Sequence, residues 1–190
     1  MANPERVIHI HEDDRAMRNL YPLVTQAEVS ADVDAAVAAG QKNRDPLGFG
    51  WTDEHVIKPP STSYIDAGLL LPDAAAALAP IMPRVRHFYA SILSKIAKAE
   101  RDPLGLYDDD AWCFGFSSQC YVKLDAKGDH VERIWFDLRS DPTEHTIALR
   151  GAIEAIDRLV PSLVADYFME VTVPVGDAEL LDRYFTHLKG

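Results

Sequence analysis

Residues 114–139 read FGFSSQCYVKLDAKGDHVERIWFDLR, and this stretch decides the fold. Even positions run Phe114, Phe116, Ser118, Cys120, Val122, Leu124, while odd positions run Gly115, Ser117, Gln119, Tyr121, Lys123, Asp125. Side chains alternate across a strand, so the even set is expected on a core and the odd set on the opposite face. The second half repeats the pattern: Ile134, Phe136 and Leu138 are apolar, and Arg133, Trp135, Asp137 and Arg139 point the other way. A three-residue loop, Ala126-Lys127-Gly128, keeps even residues opposite even ones and puts Gly128 at a left-handed position. That register sets Cys120 opposite Ile134 and Tyr121 opposite Arg133. A slip of one residue would turn Trp135 and Arg139 into the core.

Downstream, Asp141-Pro142-Thr143-Glu144 starts a helix with an Asp cap, Pro at its first position and Glu at its third. Leu149, Ile153, Ile156 and Val160 form its apolar stripe, and Pro161 stops it. Tyr167, Met169, Val171 and Val173 alternate as a third strand. Gly176-Asp177 then turns into a last helix with Leu180, Leu181, Tyr184, Phe185 and Leu188 on its apolar side. The C-terminal half therefore reads β-β-α-β-α.

Upstream, Val7–Ile10 is a short strand and Asp13–Tyr21 a polar turn or short helix. Thr25-Gln26-Ala27-Glu28 has the capping-box pattern, opening an alanine-rich helix that ends at Gly40. Residues 41–72 form a long irregular segment rich in Pro and Gly, with one strand expected near His55–Lys58. Asp73 caps a short alanine helix. Ile81, Val85, Phe88, Ile92 and Ile96 recur at helical spacing, predicting a longer helix to about Glu100. Arg44-Asp45-Pro46-Leu47-Gly48 recurs as Arg101-Asp102-Pro103-Leu104-Gly105, a helix-ending turn used twice. The expected fold is one α+β domain over residues 1–190, with a mixed or antiparallel sheet of about four strands packed by several helices.

The 190 residues are 47% hydrophobic and 26% charged, ordinary for a globular protein. The net charge of −11 repels nucleic-acid backbones, which excludes DNA and RNA as expected partners and favours a basic protein. No apolar stretch is long enough to span a bilayer, and Met1–Arg6 has no apolar core of a secretion signal, so a cytoplasmic protein is expected. Cys113 and Cys120 fall on opposite faces of their strand and are expected to stay unpaired.

Two sets of residues carry candidate chemistry. His9-Ile10-His11-Glu12-Asp13-Asp14 places two imidazoles on one strand face with carboxylates behind them, so His9, His11 and Asp13 could hold one divalent transition metal. Over six residues this run resembles the H-x-H-x-D-H motif of metallo-β-lactamase-fold hydrolases, with Asp14 where that family has a third histidine. That resemblance implies metal-dependent hydrolysis. The second set is the outward face of the hairpin: Tyr121, Arg133, Trp135, Asp137 and Arg139, joined by Phe168, Glu170 and Thr172 if the third strand pairs alongside. Aromatics interleaved with Arg are the residue types that anchor protein interfaces, and this use requires Trp135 to be exposed. No nucleophile elbow, Walker loop or dinucleotide fingerprint is present. The expected function is a non-enzymatic interaction or regulatory module, adaptor- or immunity-like. It would need no cofactor and would bind a basic protein or a second copy of itself. The alternative is a small hydrolase with its metal on His9 and His11.

Overall fold

The computed structural model describes residues 6–45, 55–92, 102–139 and 143–188. It is mostly sheet, which overturns the expected single sheet of about four strands. In chain order the elements are β1 (Val7–Ile10), β2 (Arg18–Pro22), α1 (Gln26–Lys42), α2 (Leu71–Leu78), β3 (Arg84–Val85) and β4 (His87–Ala90). Then come β5 (Leu106–Asp108), β6 (Trp112–Ser117), β7 (Cys120–Lys127), β8 (His130–Leu138), α3 (Thr143–Asp157), β9 (Ser162–Asp166), β10 (Val171–Pro174) and α4 (Ala178–His187). Seven strands form an antiparallel sheet in the order β10-β9-β2-β8-β7-β6-β3. Three form a second sheet, β1-β4-β5, with β1 parallel to β4 and β5 antiparallel to it.

The strand expected over 114–124 is two strands joined by a tight turn at Ser118-Gln119. Ser117 pairs with Cys120, and Gln119 donates its N–H to the Ser117 hydroxyl at 3.1 Å. The alternation concealed the turn because Phe114 pairs with Val122 and Trp112 with Leu124, so even residues share a face on both sides of it. The register of β7 against β8 is also corrected. Cys120 faces Leu138 and Tyr121 faces Asp137, not Ile134 and Arg133. The loop is Gly128-Asp129, and an irregularity beyond Asp125 absorbs one extra residue of β8, which restores the parity that the three-residue loop was meant to supply. Gly128 has φ 61°, as its position requires.

Three further corrections follow from tertiary pairing. Arg84–Val85 and His87–Ala90 are strands, not the start of a helix; Val85, Phe88 and Ala90 lie in one buried cluster, and the chain passes from one sheet to the other at Arg86. The later part of that expected helix, 93–101, lies outside the described residues. Arg18–Pro22, read as polar turn, is a central strand between β8 and β9. The strand expected over 167–173 is a hairpin: β9 is a fully buried strand with apolar Leu163, Val164 and Ala165 at its centre, and residues 167–170 turn back into β10. No strand forms at His55–Lys58. The C-terminal half is therefore β-β-β-α-β-β-α.

Helix ends follow local chemistry with two exceptions. Asp177 caps α4 by accepting from the Leu180 N–H at 3.0 Å. The capping box of α1 does not form. Thr25 donates to the Pro22 carbonyl, and Glu28 accepts from the amide and hydroxyl of Ser61 instead. Asp73 sits inside the first turn of α2, whose cap is Leu70. Asp141 and Pro142, the expected start of α3, lie outside the described residues.

The molecule is layered. One face of the large sheet packs Cys120, Val122, Leu124, Ile134, Phe136 and Leu138 against α2, α3 and α4. The other face is divided. Cys113, Tyr121 and Trp135 pack against Ile8, Ile10 and Phe88 of the small sheet, while Leu163 and Ala165 pack against Val29 and Val33 of α1. Cys113 and Cys120 lie on opposite faces and are not bonded to each other. Among the described residues no helix is long and apolar enough to cross a membrane.

Two expected outcomes test this packing. A Cβ at Gly115 would lie 2.6 Å from the Tyr121 Cβ and 2.7 Å from the Cys120 carbonyl oxygen. Gly115→Ala should therefore cost about 1–3 kcal/mol in urea unfolding, and a neutral result would refute the turn. Second, burial holds Tyr21, Tyr64, Tyr121, Tyr167 and Tyr184 above the ordinary tyrosine value of 10.0, Tyr21 being pushed up to about 12. The folded state keeps these protons longer than the unfolded chain does. Their stabilisation is complete below pH 10 and falls as pH rises above it, for Tyr21 between 10 and about 12. Tyrosinate absorbance at 295 nm should rise in one steep step coincident with loss of near-ultraviolet circular dichroism. A shallow rise that precedes unfolding would contradict the burial.

Candidate functional site

The outward hairpin face is covered by the small sheet, so the face as expected is not a surface. Trp135 is 1% exposed; its ring meets Phe88 edge-on at 5.1 Å, and its Nε1–H donates to Asp125 at 3.1 Å. Tyr121 is buried beside it, with ring centres 5.9 Å apart. The alternation that places these rings opposite the helix-side core is present. What covers them comes from residues 7–10 and 87–90, far away in sequence.

The remaining expected residues separate. Arg133 is 55% exposed, and its nearest carboxylates, on Asp125 and Glu132, are each 3.9 Å away. Asp137 and Arg139 enter an ionic cluster at one end of the large sheet. At its centre is Arg18, the first residue of β2. Because β2 lies between β8 and β9, one guanidinium reaches a carboxylate on each side. Its Nε donates to Asp166 at 2.8 Å, and its Nη1 donates to Asp137 and to the Leu138 carbonyl. Arg139 pairs with Asp137 at 2.9 Å and with Asp14 at 2.8 Å.

Asp166 is fully buried and accepts four hydrogen bonds. Oδ2 receives Arg18 and the Tyr184 hydroxyl at 2.9 Å; Oδ1 receives the backbone amides of Phe168 and Met169 at 2.9 and 3.0 Å. A carboxylate with this many donors is well solvated by the protein. It also fixes the turn after β9, which ends at Glu170 with φ 58°. That turn holds Phe168 45% exposed, its ring 5.0 Å from the Arg18 guanidinium and 5.2 Å from that of Arg139. Two cations beside one ring favour its position by about 0.5–1 kcal/mol each. Asp137 is the least comfortable member. Burial raises its carboxyl above the ordinary range, against the pull of Arg18 and Arg139.

The sequence does not single out Arg18 or Asp166, and it marks Asp14 only as part of the metal pattern. The one available signal was period two: Arg18, Leu20 and Pro22 share a face, and a charge on the inward face of a strand demands a buried partner. Phe168 was placed on the hairpin face. It instead caps the cluster at the sheet's end.

Of the metal candidates, His11 and Asp13 meet, Nδ1 to Oδ2 at 3.3 Å, and His9 does not join them. His9 lies on the outward face of β1 with Nε2 2.6 Å from the Ser91 hydroxyl. His11 follows the strand and accepts from the Asp13 amide at 3.3 Å. Among the described residues no group of three His, Cys, Asp or Glu side chains could hold a metal ion. The acidic run is dispersed as well: Asp108 meets Lys123, Asp109 the Tyr89 hydroxyl, and Asp110 Arg84.

Asp166→Asn should be the most damaging polar change at this end. It removes one of the two carboxylates that balance the buried Arg18 charge and weakens the bonds that order the Phe168 turn, costing about 1.5–3 kcal/mol. Urea unfolding measures this, and a loss below about 1 kcal/mol would show that the cluster does not hold the strands together.

No family model matches this chain, and no curated protein and no solved structure matches it.

Proposed function

We propose that this chain is a non-enzymatic protein-interaction module whose anchor is Phe168, flanked by Arg139 and Asp14. The observation that supports it is the mounting of that one ring. A large apolar side chain stands half out of the surface while four hydrogen bonds to Asp166 and two guanidinium groups hold its base. Exposed aromatics beside arginine are the side chains that dominate binding energy at interfaces. A ring that is already immobile loses little conformational freedom when a partner covers it.

The partner is a basic protein. The net charge of −11 steers such a partner toward this surface and makes the association weaken with salt. The module works in the cytoplasm, consistent with two buried cysteines on opposite faces of the large sheet.

The test is affinity capture from an extract of the source cells at low and high salt, using the wild-type chain and Phe168→Ala. The variant should unfold within about 1 kcal/mol of wild type, because it loses only cation–ring contacts and part of an exposed side chain. The wild type should retain a basic protein at low salt and release it at high salt, and the variant should retain none. Equal retention by Phe168→Ala would remove the anchor. A monomer with no salt-sensitive partner would remove the reading.

A further inference from the structure

A cleft of about 560 Å³ lies between β2, the strap of residues 57–64 and the start of β8. We infer that it is a binding site for a small organic anion with a planar apolar body. The volume suits one small ligand. Its body-binding part is apolar and rigid: Leu20 and Tyr64 form a buried floor, Tyr21 offers a ring, and Pro59 and Pro60 make one wall. The Tyr64 hydroxyl is fixed on Ser162 at 2.9 Å, so the floor does not shift.

The polar part is cationic. Arg15 and Arg133 both line the cleft, and the two Arg133 ion contacts, at 3.9 Å, are long for a charge-assisted hydrogen bond. Arg18 and Arg139 are locked by carboxylates within 3 Å, whereas Arg133 keeps its planar fork available for an oxyanion. Glu132 lines the same cleft and offsets part of that positive charge.

Two further features mark the cleft as a built site. Ala16 lines it with φ 55°, a left-handed conformation that costs a non-glycine residue about 1 kcal/mol or more. The neighbouring Asn19, also on the lining, holds the Ala16 carbonyl at 2.6 Å. Strain of this kind gathers at binding sites. The strap is latched in place from outside: Glu28 accepts from the amide and hydroxyl of Ser61, and Asp32 from the Lys58 amide and His55. The cleft therefore exists before any ligand arrives.

Isothermal titration of the intact chain with benzoate, 1-naphthoate, indole-3-acetate and adenosine monophosphate tests the inference, with the amides of the three acids as neutral controls. At least one anion should bind saturably with Kd below about 1 mM, and its neutral counterpart at least about tenfold more weakly. A preference for the carboxylates or for the nucleotide identifies the source of the oxyanion. Arg133→Gln, at an exposed position, should weaken binding at least about tenfold without moving the thermal midpoint. Arg44→Gln, which alters the neighbouring cleft beyond His55, should leave binding unchanged. Failure of all four anions to bind, equal binding by the amides, or no effect of Arg133→Gln would overturn the inference.

Discussion

One guanidinium holds the centre of this protein together. Arg18 opens the strand that separates β8 from β9, and it donates to a carboxylate on each of them. Antiparallel ladders already join the three strands, but a ladder tolerates slippage by two residues at modest cost to its side-chain pattern. A buried cation does not, because a slip would part Arg18 from both Asp137 and Asp166 and leave Asp166 without its counter-charge. The ionic cluster thus contributes register more than net stability. Asp166 extends the constraint outward through the turn amides to Phe168 and sideways through Tyr184 to α4.

The two faces of the large sheet explain how an acidic chain of modest hydrophobicity fills so many strands. One face is covered by three helices. The other is shared between the small sheet and α1, so most central strands are buried on both sides. Polar groups caught between layers are answered locally. Lys123 is held by Asp108 and Asp125 and by the Leu124 carbonyl, and the Trp135 indole by Asp125. These pairings consume the basic residues of the interior, and much of the excess acid remains at the surface.

What was legible in the sequence is what depends on near neighbours. Phe114, Cys120, Val122, Leu124, Ile134, Phe136 and Leu138 face the helices and Tyr121 and Trp135 the other way, as the alternation indicates, while Val131, beyond the irregularity, joins the helix side; β1 and α4 lie where their patterns put them, and Leu149, Ile153 and Ile156 of α3 are buried. What was illegible is pairing at a distance. A two-residue turn whose change of parity is cancelled by the irregularity between Gly115 and Ser117 is invisible to periodicity, so β6 and β7 read as one strand. Val85 and Phe88 satisfy helical spacing and strand spacing almost equally, and only the partners of β3 and β4 decide between them. The second layer over Trp135 left no mark in the hairpin itself. Arg18 looked like part of a polar turn because its partners lie 119 and 148 residues away.

Those separations have a consequence for how the chain is made. Strand β2 is synthesised before either of its neighbours, which lie at residues 130–138 and 162–166, and among the described residues β1 pairs only with β4. Until β8 and β9 exist, the early segment has nothing to pair with, and its buried cation has no counter-charge. The large sheet is completed from the inside, by inserting its first strand between two of its last. Such a topology folds slowly and only after β9 has been made, which makes the nascent chain, rather than the folded protein, the form most exposed to aggregation and to chaperones.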